Sequence, residues 1–369
     1  MRFLIITHAS HTFKNGHLYA YGPYVREMDI WMRYADIVEI VAPLSEENPS
    51  PIAWAYKRQD IYFSKIAAVS LLTFSEKIKT ALNLPLIFFK IISAMHRADH
   101  IHLRCPGNIG LLGCIAQIFF PKKHKTAKYA GNWDPNAKQP WSYRLQKWML
   151  SNSFITKNMK VLVYGHWLQP SKNIIPFFTA SYSEQKIKMV APKTYDEQLR
   201  FIFVGTLATG KRPLYCLQLL ANLWRKGLDC RLDFYGEGPE RQALLEYIKK
   251  HNLQAVVHLH GNQPSEVIEF VYSKSHFLVL PSQSEGWPKA VAEAMFWGVI
   301  PIVTPISCIP WMLDDEKRGS LLTLDIEKDS YTILKLVKSK NLQPISTNAR
   351  LWSQQYTLEL FDKEINNFF

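Results

Sequence analysis

The sequence predicts an α/β protein built as two Rossmann-like domains facing an interdomain cleft, and three observations carry that prediction. Short apolar runs alternate with amphipathic stretches along the whole 369-residue chain, the pattern of β-α repeats and parallel sheets. The length suits two domains at roughly 100–200 residues each. Loops rich in Gly, Lys and Glu directly follow several apolar runs, and ligands of such folds bind outside the carboxyl ends of parallel strands.

In the first half, strands are expected at Phe3–Thr7, Ile37–Val41, Ile101–Leu103, Lys128–Ala130 and Val161–Tyr164. Helices are expected at Tyr24–Arg33, at Leu86–Met95 directly after Pro85, and at Ile109–Phe119. The segment Ser181–Leu199 is polar, charged and without apolar periodicity, so it reads as the linker between a domain at 1–185 and another at 196–345. In the second half, strands are expected at Phe201–Val204, Arg231–Tyr235, Val256–His260, Phe277–Leu280 and Val299–Val303. Helices Pro213–Lys226 and Pro239–His251 each begin with proline, whose missing N–H costs little in a first turn. Gly227 and Gly298 stand where C-terminal caps belong.

Composition excludes several classes. At 47% hydrophobic residues, with 11 Trp and 20 Phe, the chain is globular rather than disordered. The five cysteines are scattered and never spaced C-x-x-C, which argues against a disulfide framework or zinc knuckle and fits a reducing cytosol. The opening apolar run Phe3–Ile6 is too short for a secretory h-region and reads as a strand. Leu84–Met95 and Ile109–Phe120 fall short of the ~18 apolar residues that a spanning helix needs, so a cytoplasmic protein is expected. Of the net charge of +13, residues 1–180 carry +12, which points to an anionic partner for the first half.

Three loops carry the chemistry. After the strand at Phe201–Val204 comes Gly205-Thr206-Leu-Ala-Thr-Gly-Lys211-Arg212-Pro213, two glycines and two cations leading into a helix, which suits a phosphate group. It is not a Walker A loop, because Arg212 replaces the metal-ligating Ser or Thr. After the next strand, Gly236 and Gly238 let the backbone turn sharply in Tyr-Gly-Glu-Gly-Pro. The third is Ser284-Glu285-Gly286-Trp287-Pro288-Lys289, with Glu293 eight positions beyond Glu285, roughly 12 Å at a helical rise. A carboxylate accepts two hydroxyl protons at once, so each glutamate suits one vicinal diol, and a diphosphate between them would meet Lys211, Arg212 and the helix N-terminus. The span is about that of a nucleotide sugar.

Ser282-x-Ser284-Glu285-Gly-Trp-Pro288, Glu293-Ala-Met and Gly298-Val-Ile-Pro-Ile-Val303, with Gly205, Lys211, Gly236-Glu-Gly238 and His260-Gly261, resemble the E-x7-E signature of the retaining glycosyltransferases of group 1, family 4. The resemblance covers Phe201 to about Trp311. It implies a GT-B fold, a nucleotide diphosphate sugar donor held mainly by the second domain, no metal and no other cofactor, and a C-terminal segment 346–369 packing back on the first domain. By the same resemblance Glu285 would contact the donor sugar, Glu293 the ribose, and Lys211 the diphosphate. The chain departs from the family pattern at Thr206, where an arginine is usual and where Arg212 offers a substitute charge. It departs again at Tyr129-Ala-Gly-Asn132-Trp-Asp134, where the family places a histidine.

First-half candidates for the same cleft are Gly16, Arg104, Asn132 and Asp134, each with an ordinary alternative as a turn residue or ion pair. His100 and His102, or His258 and His260, share strand faces, but two nitrogens do not make a metal site. The leading expectation is retaining transfer of a sugar to a hydroxyl acceptor, with a glycan or lipid-linked glycan as acceptor in bacterial surface polysaccharide assembly. An anionic surface at the inner face of the cytoplasmic membrane is a further partner, and nucleic acid is not expected. The alternatives are a nucleotide-sugar epimerase or phosphorylase on the same architecture, and a non-catalytic basic module that binds membrane or nucleic acid.

Overall fold

Each half of the chain folds around its own parallel sheet. The structure is a computed structural model that describes residues 1–50, 52–69, 73–167, 171–195, 197–339 and 341–369. It divides into one unit of residues 1–178 with 362–369 and a second of residues 179–361.

The first unit is the N-terminal half of the chain. Its elements run β1 (Arg2–Ile6), β2 (His11–Lys14), β3 (His17–Tyr21), α1 (Gly22–Trp31), β4 (Ile37–Ser45), β5 (Ala53–Ala55) and β6 (Ile61–Ile66). They continue with α2 (Phe74–Arg97), β7 (His100–Cys105), α3 (Asn108–Ala116), β8 (His124–Tyr129), α4 (Trp141–Ser151), β9 (Met159–Tyr164) and β10 (Ile174–Phe177). Among the described residues the parallel core has the order β6-β4-β1-β7-β8-β9-β10, and β2, β3 and β5 extend it beyond β4 with antiparallel pairing of β2 with β3 and of β3 with β5. Strand neighbours alternate between two cores, as the pleat requires. Leu4, Ile6 and Leu103 pack under α2, α3 and α4, while Phe3, His100 and His102 face Trp31 of α1 and Phe369. His100 and His102 both hydrogen-bond Thr126 Oγ1, at 2.9 and 2.8 Å, so both are core histidines held by one hydroxyl, His102 Nε2 being buried without a hydrogen-bond partner among the described residues.

Helix α2 is longer than the sequence predicts, because Pro85 lies inside it. An internal proline removes one i→i−4 bond. Ala81, Leu82 and Pro85 are exposed, so the carbonyl that the proline leaves lies on the outer side of the helix, and a reciprocal Thr73–Glu76 capping box fixes the start. By length and composition Ile78–Arg97 would span a membrane, yet its inner stripe of Ile87, Ile91, Ala94 and Met95 is buried in the core beneath it.

The second unit contains β11 (Leu199–Val204), α5 (Pro213–Arg225), β12 (Cys230–Tyr235), α6 (Arg241–Lys250), β13 (Val257–Leu259), α7 (Ser265–Lys274) and β14 (Phe277–Leu280). It continues with α8 (Lys289–Phe296), β15 (Ile300–Val303), α9 (Ile309–Leu313), β16 (Ser320–Leu321), α10 (Ile326–Lys338), α11 (Leu342–Ser353) and α12 (Leu358–Asn366), whose last residues belong to the first unit. Its six parallel strands run β13-β12-β11-β14-β15-β16. Numbered within the unit, that is the Rossmann order 3-2-1-4-5-6, with the switch point between β11 and β14. The central strands are mostly apolar because helices cover both faces: Phe201, Phe203, Phe234, Phe277 and Ile300 are fully buried.

Two boundaries differ from the sequence expectation. The chain leaves the first unit after Phe178, and Ser181–Leu199 is part of the second unit rather than a linker. Single anchors hold it there: Tyr182 packs on Phe296 and Trp297, and Lys193 Nζ donates to the Tyr272 and Ser273 carbonyls at the end of α7. Asp196, the expected start of the second domain, lies outside the described residues. At the other end, residues 346–361 stay with the second unit, since Ser346 Oγ donates to the Gly298 carbonyl and Ser353 Oγ to that of Ala292. Only Asp362–Phe369 joins the first unit, where Asp362 accepts from Arg33 and Tyr34.

Candidate functional site

The loops after β11, β12 and β14 meet at the switch point of the second sheet. Their backbones are laced together: Gly205 N–H donates to the Tyr235 carbonyl, Leu207 N–H to that of Glu237, and Gln283 N–H to that of Gly210. This close approach explains the glycines. A Cβ on Gly236 would lie 1.9 Å from the Gly205 carbonyl oxygen, and one on Gly238 would lie 2.5 Å from that of Leu207. Both have positive φ, +146° and +159°.

Within that lattice Lys211 Nζ donates to Glu285 Oε1, joining the first and third of these loops. The carboxylate is the more enclosed partner, with 11% of its side chain exposed against 30% for the lysine. Arg212 sits in the left-handed region (φ +49°, ψ +51°) immediately before Pro213 opens α5, and its Nη1 donates to the Pro281 carbonyl at 3.0 Å. That contact uses one of five guanidinium donors and pins the side chain across the ends of β11 and β14. Thr206 is exposed, and its carbonyl accepts from Ala208 N–H.

Helix α8 begins at Lys289, with Pro288 as its N-cap residue and no side-chain cap among the described residues. Glu293 follows in the next turn. Its Oε1 accepts from Ser181 Oγ at 2.6 Å and lies 3.9 Å from Lys289 Nζ. Ser181 is a residue that the sequence reading passed over; nothing in a polar stretch marks which hydroxyl will meet a carboxylate 112 positions away. Gly286 is held by its carbonyl, which accepts from Ser307 Oγ at 3.0 Å. Trp287 is not a donor-facing ring. It is buried in an aromatic cluster with Trp311, Trp352 and Tyr356, at centroid distances of 5.6 to 6.3 Å, because a ring of that size is stabilised most by apolar burial. It anchors the loop that presents Glu285.

The four first-unit candidates do not form a comparable cluster. Gly16 is at the tip of the β2–β3 hairpin beside Asn15, both with positive φ, and open space surrounds its α-carbon. Arg104 is buried, with Nη1 2.5 Å from Glu27 Oε1, and Lys128 Nζ lies 3.3 Å from the same oxygen. Burial alone would raise the Glu27 pKa, and the Arg104 and Lys128 charges overcome it and hold the carboxyl below its ordinary value. Burial brings Lys128 down to about 8. Arg104 is therefore committed to an interior ion pair. Asn132 Oδ1 accepts from Asp134 N–H and Asp134 Oδ1 from Asn136 N–H, so both side chains brace a turn. At the switch point of the first sheet, between β1 and β7, the side chain is His8: a Cβ on Gly107 would meet its Nδ1 at 2.7 Å. Its position directly after the first strand was the available signal. Among the described residues no three His, Cys, Asp or Glu side chains come together to hold a metal ion.

Residues 184–352 match the family described as glycosyl transferases group 1. An uncharacterized glycosyltransferase of Haemophilus influenzae is 29% identical over 173 residues, 46% of this chain and 48% of that protein. WcaL of Escherichia coli (strain K12), provisionally named a colanic acid biosynthesis glycosyltransferase, is 29% identical over 147 residues, 38% of this chain and 35% of that protein. The alignments thus span about a third to a half of these curated relatives. Among solved structures, Anabaena HepE in complex with UDP superposes with a TM-score of 0.71 at 13% identity, covering 100% of this chain and 99% of that one. WaaG, a glycosyltransferase involved in lipopolysaccharide biosynthesis, gives 0.65 at 14%, covering 100% and 99%. At such identities these two share the fold, a pair of Rossmann-like sheets of the GT-B class. Residues 184–352, a little under half of the chain, thus carry the match to the glycosyl transferases group 1 family, and the relatives aligned to this part are glycosyltransferases.

Proposed function

We propose that this protein transfers a sugar from a nucleotide diphosphate sugar to a hydroxyl acceptor with retention at the anomeric carbon, in the assembly of a bacterial surface polysaccharide or other glycan. One observation carries the reading: Lys211 and Glu285 meet at the carboxyl ends of β11 and β14, the switch point where this sheet type binds nucleotides, beside a turn that only glycines can make. HepE holds UDP in the same fold, and WcaL and WaaG are named for polysaccharide and lipopolysaccharide synthesis, which supports the donor and acceptor classes.

In this reading the donor diphosphate takes Lys211 from Glu285. The freed carboxylate then accepts hydroxyl protons of the donor sugar, while Glu293, oriented by Ser181, accepts those of the ribose. As the glycosidic bond breaks, negative charge grows on the departing diphosphate. Lys211, Arg212 and the N–H groups opening α8 are the donors proposed to meet that charge, and donors fixed in place lower such a barrier. Glu285 sits in a loop bound to a cation and Glu293 on a helix bound to a hydroxyl, so they hold two diols rather than act as an acid and nucleophile across one bond. No covalent enzyme intermediate is required, and basic side chains do the charge stabilisation that a cation does elsewhere. The acceptor is a glycan or lipid-linked glycan, and the basic first unit holds the enzyme peripherally at an anionic membrane face.

A panel of nucleotide diphosphate sugars, read by nucleotide release with and without glycan acceptors, tests the reaction. Acceptor-dependent release with an α-configured product from an α-configured donor is the expected result. Conversion of donor alone into an isomer, or no release from any donor, would contradict it.

A further inference from the structure

The membrane reading above leaves open which surface makes contact, and the structure supplies one. Helices α2, α3 and α4 lie side by side on one face of the first sheet, α2 against α3 and α3 against α4, and share a single core beneath them. Right-handed crossovers between parallel strands dictate that placement. Their outer sides should be polar, and they are not.

On α2, Ile78, Leu82, Leu86 and Phe89 recur at intervals of four, four and three residues, which is one stripe of a helix. Leu82 is 78% exposed and Phe89 68%. In the apolar stretch Ile78–Arg97 the buried residues are confined to the inner stripe, so an apolar outer stripe is left uncovered. The turn after α3 adds Phe119 at 66% exposure, flanked by Ile115 and Ile118. On α4, Trp141 and Trp148 stand seven residues apart on one face, and Phe154 follows. Single exposed apolar residues are ordinary, whereas a set gathered on three adjoining helices marks an interaction surface.

Charge identifies the occupant. Residues 74–160 contain fourteen lysines and arginines against three acidic residues, and although Arg104, Lys125 and Lys128 among them are buried in the sheet, the exposed remainder is predominantly basic. Lys79, Lys122, Arg144 and Lys157 are exposed among the apolar side chains. Tryptophan and phenylalanine interleaved with basic residues suit the headgroup region of an anionic bilayer, where rings reach the acyl boundary and ammonium groups meet phosphates. A protein partner with a purely apolar face would leave these cations unpaired.

We infer that the outer face of α2, α3 and α4 docks the protein on an anionic lipid surface, with Ile78, Leu82, Leu86, Phe89, Phe119 and Trp148 entering the interface. The inference takes the kind of partner from the proposed function, but its test needs no donor, so loss of binding and loss of transfer are separate results.

The experiment is co-sedimentation of the full chain with vesicles of 30 mol% phosphatidylglycerol in phosphatidylcholine, against pure phosphatidylcholine, at low and high salt, with ~30 mol% set so that several lysines find a charged lipid. The expected results are binding at least about 10-fold tighter to the anionic vesicles, weakening with salt, and a further drop of about 10-fold or more in Leu82→Ser/Phe89→Ser and in Trp148→Ser. Phe270→Ser, which removes a 64% exposed ring from α7 in the second unit, should bind like the wild type. All three substituted surfaces are solvent-facing, and circular dichroism melts confirm folding. Equal binding by the α2 and α4 variants, equal binding to neutral vesicles, or no binding at low salt would overturn the inference. So would a dimer by light scattering that the α2 variant abolishes while vesicle binding persists.

Discussion

Lys211 and Glu285, 74 positions apart in sequence, form an ion pair that joins the loop after β11 to the loop after β14. Two groups expected to touch different parts of one ligand are thus held against each other before it arrives. In the proposed reaction a diphosphate would compete with Glu285 for the lysine, and the carboxylate would become a hydroxyl acceptor when that competition succeeds.

That competition separates the two residues experimentally. Lys211→Ala should weaken binding of UDP by about 10- to 100-fold, the value of a hydrogen bond to a charged group. Glu285→Ala should bind UDP as tightly as the wild type or more so, because it frees the lysine, while losing transfer. Titration calorimetry with UDP checks both, and unchanged binding in Lys211→Ala would detach the pair from the diphosphate.

Gly236 has no room for a side chain: its Cβ would lie 1.9 Å from a backbone oxygen, with φ at +146°. Gly236→Ala should therefore destabilise the second unit by about 3 kcal/mol or more, as steric and conformational strain combine. Gly210 on the neighbouring loop has open space around it, and Gly210→Ala should stay within about 0.5 kcal/mol of the wild type. Urea denaturation of the two variants distinguishes a built backbone crossing from a merely permissive loop.

In the proposed function Ser181, which donates to Glu293 Oε1, is a positioning residue. Ser181→Ala should raise the donor KM by about 3- to 10-fold, in keeping with one hydrogen bond to a charged group, and leave kcat within about twofold. Ser181→Thr, which keeps the hydroxyl, should restore the KM. Steady-state kinetics at several donor concentrations make the comparison, and an equal fall in kcat for both variants would point to general damage.

Lys193 gives a pH dependence with a defined sign. Burial, followed by the Lys274 charge, brings its pKa down from 10.5 to about 7. Below pH 7 the folded and unfolded chains both carry the proton and the desolvation cost is fully present. Between about pH 7 and 10.5 the folded chain has lost a proton that the unfolded chain keeps, so stability rises with pH at up to about 1.4 kcal/mol per unit. The unfolding free energy of the wild type should gain on that of Lys193→Met between pH 6.5 and 9. A constant difference across that range would mean that Lys193 titrates at its ordinary value.

The second unit was the more legible half, for a physical reason. Its central strands β11, β14 and β15 are largely buried on both faces and read as apolar runs, candidate loops follow β11 and β14, and Pro213 marks a helix start. The first unit hides more. Its β2–β3 hairpin turns at Asn15-Gly16, a recognised I′ pair, but His11-Thr-Phe-Lys14 alternates too briefly to stand out. Pro85 concealed the first half of α2, whose stability comes from a capping box and solvent at the proline rather than from an unbroken ladder. The polar segment after Phe178 looked like a linker because its attachments are isolated side chains, Ser181, Tyr182 and Lys193, with no period to reveal them.

Residue roles divided along the same line. While the roles proposed for them rest on the kinetics below, the places of Lys211 and Glu285 in the switch-point loops, and of Glu293 on the helix beyond, were readable because each follows a buried strand. Trp287 and Arg104 were not, since a tryptophan or an arginine at a strand end is equally suited to a ligand and to the interior. Only the packing on Trp352 and the pairing with Glu27 decide between them.

The measurement that bears most directly on the account is nucleotide release from the best donor of the panel by the wild type, Lys211→Ala, Glu285→Ala and Glu293→Ala under identical acceptor conditions. Each substitution should lower kcat/KM by about 100-fold or more for the first two and about 10-fold or more for the third, with melting temperatures close to the wild type. Release at the wild-type rate by all three variants would contradict the placement of the donor at this switch point.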